Sequence, residues 1–368
     1  MKFVIDKDLL LETLQRVQSL VNQRATLPIL SNVLIEAIED KLILTTTDME
    51  VTLRTSIQAD VQQEGATTLP ARRFFSICRD LPHHQVEITC TETDNGSETV
   101  EIKSGSFRGK LGAISKNEFP PMPVFEEKFA YELTQPRLKD IYQKIAYAAS
   151  TDESRAILNG ALMSFKEGKL TSVCTDGRRL ALVEEELETA TEEEIEVVVP
   201  TKTGAELIKL LGVDGVVQIR LSTKQIAFEF GDILIVSKLI EGTYPNYKQV
   251  IPSQCEERIT VDRELLQSAV RRVSLMLDDQ TAAVKLEIAD NRIDLSTSTP
   301  EIGDANEVIP IKYSGKKISI AFNPAYLVAP LKHLESDEVF IELSDDTSPG
   351  VIKSNIPFLY VIMPIRFS

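Results

Sequence analysis

One plan of helix, hairpin, helix and closing strands recurs three times along the 368 residues, and this limits the fold more than any other feature. Residues 6–22 (DKDLLLETLQRVQSLVN) set Leu10, Leu14, Val17 and Val21 on one stripe. Residues 134–149 do the same with Leu138, Ile141, Ile145 and Ala148, and residues 260–276 with Leu266, Val270 and Val273. Steps of three and four predict amphipathic helices. Asp6, Thr134 and Asp262 stand where N-caps belong. Strand-like text follows over 29–54, 157–183 and 282–298, with Glu39-Asp40, Glu167-Gly168 and Asp290-Asn291 as turns between alternating segments. A second helix is predicted over 70–80, 200–211 and 324–334, each opening on a proline suited to a first turn. Strands over 85–114, 216–240 and 338–366 close each unit. The opening helices are about 128 and 126 residues apart, and Pro70, Pro200 and Pro324 are 130 and 124 apart. Landmarks of different kinds share one period. The unit is an α+β domain of about 125 residues, richer in strands than helices, with linkers at 119–128 and 250–258.

A net charge of -16 speaks against a nucleic-acid partner if it is spread evenly. It is not. The predicted helices 7–24, 72–80, 137–149, 202–211, 263–273 and 325–334 hold 15 basic and 6 acidic residues, leaving 25 basic and 50 acidic elsewhere. Lys and Arg favour helices, but Glu favours them equally and occurs only three times in these windows. A basic helical surface backed by acidic strands attracts phosphates on one side only. Trp is absent and Phe74-Phe75 read as a core-facing pair, so contact with nucleic acid is expected at the backbone, without sequence readout.

Other classes find little support. No apolar run reaches the roughly 18 residues of a membrane helix, and the start MKFVID lacks a signal-peptide apolar stretch, so a cytoplasmic protein with no membrane partner is expected. Cys78, Cys90, Cys174 and Cys255 are scattered and read as small buried hydrophobes, with no metal site and no disulfide framework. His83, His84 and His333 sit in no catalytic pattern, no phosphate-binding glycine loop is present, and no cofactor is expected. Two other readings stay open on the residues alone. One is a nucleotidase-like enzyme using Asp176 with Arg178 and Arg179. The other is an interaction scaffold of repeated domains that never meets DNA.

The order of short motifs resembles the bacterial DNA polymerase III β subunit family, the sliding clamps. The pieces are Leu27-Pro28-Ile29-Leu30, PARRFFSICR over 70–79, Leu158-Asn159-Gly160, Thr175-Asp176-Gly177-Arg178-Arg179-Leu180, SKLIEG over 237–242 running into Tyr244-Pro245-Asn246-Tyr247, and YVIMPIR over 360–366. The resemblance runs from end to end. It implies an α+β DNA clamp fold of three repeated domains, two helices packed on antiparallel sheets in each, over 1–123, 129–250 and 257–368. Two such chains would close head to tail as a homodimeric ring. The implied function is a non-catalytic processivity factor that encircles double-stranded DNA without reading it. Implied partners are the DNA polymerase III α subunit, a clamp loader, and other polymerases and repair proteins, bound through short peptide motifs.

The resemblance also implies sites. A partner-peptide groove would be formed by Leu158, Thr175, Gly177, Arg178, Arg179, Leu180, Pro245, Val250, Asn323, Tyr326, Thr347, Pro349, Met363, Pro364, Ile365 and Arg366. Apolar walls, a few orienting polar groups and a pliable Met suit a peptide. For DNA it points to Arg24, to which the helix-charge argument adds Arg72, Arg73, Arg79, Arg137, Lys144, Lys202, Arg271 and Arg272. At the subunit seam Arg108 and Leu111 would meet Leu275 and Met276, with Glu301, Asp304 and Glu307 pairing with cations across it.

Overall fold

A computed structural model describes residues 1–21, 27–92, 98–188, 194–278, 283–300 and 302–366. The first repeat runs β1 (Lys2–Asp6), α1 (Lys7–Gln18), β2 (Asn32–Ile38), β3 (Lys41–Thr47), β4 (Val51–Gln58), β5 (Asp60–Gln63), β6 (Gly65–Pro70), α2 (Ala71–Arg79), β7 (Gln85–Glu92), β8 (Glu98–Ser104) and β9 (Phe107–Ala113). The second runs β10 (Phe129–Thr134), α3 (Gln135–Ile145), β11 (Gly160–Lys166), β12 (Lys169–Thr175), β13 (Arg179–Glu186), β14 (Ile195–Pro200), α4 (Thr201–Leu210), β15 (Val216–Leu221), β16 (Gln225–Phe230) and β17 (Ile233–Lys238). The third runs β18 (Glu257–Asp262), α5 (Arg263–Val273), β19 (Val284–Ala289), β20 (Arg292–Thr299), β21 (Gly303–Pro310), β22 (Ile318–Phe322), α6 (Pro324–Leu331), β23 (Glu338–Leu343), β24 (Gly350–Lys353) and β25 (Phe358–Ile362).

Local chemistry explains most boundaries. The Asp6 carboxylate caps α1 by accepting from the Asp8 and Leu9 amides, and Asp262 caps α5 by accepting from Leu265. Thr134 holds the same place, ending β10 immediately before α3 starts at Gln135. The hairpin turns fall where expected, with Glu39, Glu167 and Asn291 at φ of 53°, 50° and 56°. Pro70 and Pro200 differ from their reading as helix openers. Each ends a strand, opposite Asn32 and Gly160, and each strand lies at a sheet edge, where a residue without an N–H is tolerated. Pro324 alone sits in a helical first turn, behind the Asn323 cap. The second helices are also shorter than predicted, and Pro330 helps end α6 at Leu331. Of the Phe74-Phe75 pair only Phe74 is fully buried. Cys78 and Cys174 are buried as expected, whereas Cys90 and Cys255 are half-exposed.

One buried contact shows how the repeat works. The Thr46 hydroxyl on β3 donates to the Val17 carbonyl of α1 at 3.0 Å, and the Thr297 hydroxyl on β20 donates to the Val273 carbonyl of α5 at 2.9 Å. Each satisfies an unpaired carbonyl at a helix C-terminus. The matching position of the second repeat is Cys174, which is fully buried.

The chain divides into two compact units, Met1–Leu138 with Glu206–Leu239, and Lys139–Ala205 with Ile240–Ser368. The first unit holds a five-stranded sheet, β5-β1-β7-β8-β9, and an eight-stranded sheet, β10-β15-β16-β17-β4-β3-β2-β6. The second holds an eight-stranded sheet, β14-β11-β12-β13-β25-β24-β23-β18, and a four-stranded sheet, β21-β20-β19-β22. Each larger sheet joins two repeats. The joint is β17 on β4 in one case and β25 on β13 in the other. The division therefore passes through the middle repeat, whose two halves belong to different sheets. No helix among the described residues is long and apolar enough to cross a membrane.

Gly160 tests the tightness of the second unit. A Cβ there would stand 2.6 Å from Val198 Cγ1, 2.8 Å from Ile240 Cδ1 and 2.9 Å from the Val199 carbonyl oxygen. Gly160→Ala is expected to destabilise this unit by about 1–3 kcal/mol, as overpacking does. A urea midpoint equal to that of the unaltered chain would refute this.

Candidate peptide-binding groove

In the second unit, β12 and β13 are joined by a turn that Asp176 organises. Its carboxylate accepts from the amides of Arg178 at 2.8 Å and Arg179 at 3.0 Å, and from Arg179 Nε at 3.0 Å. Gly177 takes φ of 85°, a conformation that favours glycine. The Thr175 hydroxyl donates to the Arg179 carbonyl at 2.6 Å and accepts from the Gly177 amide at 3.1 Å. Arg179, held by Asp176, lays its guanidinium 4.3 Å from the centre of the Tyr326 ring. Tyr326 is placed by the first turn of α6, where the Asn323 carboxamide accepts from Ala325 and Tyr326, and its carbonyl accepts from the Tyr360 hydroxyl at 2.9 Å. Asp176 is thus committed to backbone and to Arg179, which leaves little of the phosphate-handling site considered above.

The chain's end completes this edge. β25 lies beside β13, and the Met363 amide extends the ladder by donating to the Arg178 carbonyl at 2.9 Å. The Ile365 amide then donates to the Ala321 carbonyl at 2.8 Å. Met363, Pro364 and Ile365 are half-buried and Arg366 is exposed. Below lies an apolar cluster of Leu158, Leu162, Val173, Leu180, Val198, Tyr244, Tyr247 and Val361, flanked by half-buried Ile157, Ile240 and Ile251. Pro245 and Val250 are exposed on the segment that carries Tyr244 and Tyr247. Thr347 and Pro349 lie in the β23–β24 loop, ordered by Asp345, whose carboxyl falls to about 2 as it accepts from Ser348 and Thr347.

The expected residues therefore come from six segments of one unit. Sequence reasoning missed Arg155, which donates to the Asp176 carbonyl at 2.9 Å, and the tyrosines beneath the apolar floor. The signal for the tyrosines was present: Tyr244 and Tyr247 are three apart, flanking Pro245. Among the described residues, no cluster of three or more His, Cys, Asp or Glu is placed to hold a metal ion.

The basic candidates fall into separate classes. The described helices hold 13 basic and 5 acidic residues. On α2, Ala71, Phe74 and Cys78 are buried, while Arg72, Arg73 and Arg79 are exposed. Arg72 donates to the Val21 carbonyl at 3.3 Å, and Arg79 pairs with Asp80. Arg137, Lys202 and Arg271 are exposed. Lys144 must be set aside as a phosphate contact, because it is 7% exposed and its amine is paired with Asp140. Arg272 makes a two-pronged pair with Glu307, Nε to carboxylate 2.9 Å, so one proposed DNA contact and one proposed seam acid occupy each other. Arg24 and Glu301 lie outside the described residues. Leu275 is 78% exposed and Met276 37%, whereas Leu111 is buried at 9%.

The fold and this edge are those of sliding clamps. A DnaN sliding clamp from Bartonella birtlesii, bound to griselimycin, superposes with a TM-score of 0.94 at 34% identity, covering 100% of both chains. The DNA polymerase sliding clamp of Bacillus subtilis gives 0.95 at 30%, again over 100% of both. The beta sliding clamp of Chlamydia muridarum is 33% identical over 366 residues, covering 100% of this chain and 99% of its relative. Family models for the DNA polymerase III beta subunit match at residues 1–123 (N-terminal domain), 132–246 (central domain) and 248–366 (C-terminal domain). The chain belongs to the DNA polymerase III beta subunit family: it is a replication clamp, a processivity factor and not a catalyst.

Proposed function

We propose that two copies of this chain close head to tail around duplex DNA and carry the replicative polymerase by the groove described above. The observation that carries this is the repeated sheet joint. The last strand of the second repeat, β17, pairs with the third repeat-equivalent strand of the first, β4, and β25 of the third repeat pairs with β13 of the second. Two strands of the same kinds, β9 and β21, remain at sheet edges. One ends a chain's series where the other begins it, so a second copy satisfies both, and a heterologous contact repeated twice closes. The domains would be 1–123, 129–250 and 257–368, with their basic helices toward the DNA and the acidic strands away.

A closed ring needs no tight hold on DNA, because leaving requires a seam to open or an end to be reached. Exposed Arg73, Arg137, Lys202 and Arg271 would give weak, sequence-blind phosphate contacts, and the resemblance adds Arg24, which lies outside the described residues. The groove would take short peptides of the α subunit, of the clamp loader, and of other polymerases and repair proteins, each gaining effective concentration from the tether. A nucleotide-driven loader must open the ring, since the chain carries no phosphate-binding loop. The place of action is the bacterial cytoplasm. The experiment is retention of loaded protein on nicked circular DNA. Retention should survive salt that screens phosphate contacts and vanish when the circle is linearised. Equal loss from both forms would end the topological reading.

A further inference from the structure

The turn between β3 and β4 copies the β12–β13 turn that organises the groove. Asp48 accepts from the amides of Glu50 at 3.0 Å and Val51 at 2.8 Å, as Asp176 does from Arg178 and Arg179. The Thr47 hydroxyl accepts from the Met49 amide at 3.1 Å, as Thr175 does from Gly177. Met49 takes φ of 77° where Gly177 takes 85°, so the first turn keeps this shape without the residue that suits it. The sheet joint continues the match. The Lys238 amide donates to the Glu50 carbonyl at 2.9 Å, as the Met363 amide does to that of Arg178. The linkers are laid down alike as well. The Ile114 amide donates to the Thr68 carbonyl and the Ile240 amide to that of Val198, each two residues before the strand-ending proline. Phe119 then packs with Ile29 and Leu30, as Tyr244 does in the cluster of Leu158.

These elements, all in the first unit, enclose a cavity of about 200 Å³. Its apolar lining includes Pro120, Pro121, Pro123, Met49 and Val236. Its polar groups differ from those of the groove. Lys238 stands where the groove has Met363, and Glu50 where it has Arg178. Gln225, opposite Lys238 on β16, adds a carboxamide. Lys238 and Glu50 are exposed, and neither enters an ion pair among the described residues.

We infer that this cavity is a second ligand site, quasi-equivalent to the groove, that takes an apolar peptide segment with its acidic side chain on Lys238. It goes beyond the groove proposed above and rests on that reading only for the parallel. An apolar lining with a few convergent polar groups suits a small bound segment. The free cation favours a carboxylate, while Glu50 beside it requires a donor. A peptide brings both, a side-chain acid and backbone N–H groups, whereas a simple fatty carboxylate offers Glu50 nothing. The conformation of Met49 fits such a role, since strained residues cluster at ligand clamps. The exchange of Met363 for Lys238 and of Arg178 for Glu50 makes the two sites select different peptides.

The test uses the full chain, its groove first filled with a polymerase-derived peptide. The probes are labelled acetyl-Leu-Leu-Glu-Leu amide and the same peptide with glutamine for glutamate. By anisotropy the glutamate peptide should bind saturably. Lys238→Glu should raise its Kd about tenfold at low salt and Lys238→Gln about threefold, while the Kd of the glutamine peptide stays put. Both substitutions keep the backbone amide that bonds Glu50, so the joint should fold as before, and the Kd of the polymerase-derived peptide should not move. With benzoylphenylalanine for the last leucine, irradiation should mark Met49 or residues 119–123. No saturable binding once the groove is filled, a Kd indifferent to Lys238, or cross-links confined to the second unit overturns the site. A polymerase-derived peptide that never binds the unaltered chain sinks the groove reading instead, and the Lys238 comparison still decides this one.

Discussion

Aspartate at both Met363 and Pro364 should abolish capture of a polymerase-derived peptide, with Kd rising at least 100-fold, or about 3 kcal/mol. Both side chains are half-buried just past Val361 of the apolar cluster, and a carboxylate there loses water without gaining a partner. Arg179 on the neighbouring strand is no remedy. Arg179 is already engaged by Asp176 and stacked on Tyr326. The fold should tolerate the change, since the backbone bonds here are the Met363 and Ile365 amides, which aspartate retains. Peptide binding by anisotropy, run beside mass in solution, separates the outcomes. A dimer that has lost the peptide supports the groove. A dimer that keeps it removes Met363 and Pro364 from the site, and dissociation moves them to the seam.

What the sequence disclosed and what it hid divide by range. The repeats were legible because helix and strand periods are local, and the stripe Leu10, Leu14, Val17 is buried as its spacing requires. The turns at Glu39, Glu167 and Asn291 were legible for the same reason. Contacts between distant residues were not. Arg272 and Glu307 are 35 apart and were assigned to different surfaces, yet they hold each other. Arg263 entered the helix charge count as a cation, but it bonds the Leu331 and Ser336 carbonyls and fixes the end of α6. Lys144 sits at a helical position no different in type from Arg137, and only packing shows that one is buried and the other exposed. The groove residues were identified by resemblance and not by spacing. Thr175, Asn323 and Met363 converge through sheet pairing and an N-cap, which no window of sequence contains.

The second large effect concerns closure. Leu275→Asp with Met276→Asp should leave the chain folded and monomeric, eluting at 41.0 kDa rather than twice that mass. Folding should be indifferent, because Leu275 is 78% exposed in a short turn after α5 and its side chain contributes little to the core. Closure should not be. Covering a leucine of this exposure is worth about 1.5–3 kcal/mol, and a head-to-tail ring uses the contact twice. The new carboxylates also sit beside β21, whose exposed Asp304 is already negative, so repulsion adds to lost burial. Rim ion pairs give about 0–1 kcal/mol each and cannot make good the loss. A double variant that remains dimeric at micromolar concentration would place the closing contact elsewhere. The exposed Ile302 and Val308, at and beside the same edge strand, would then be the next residues to change.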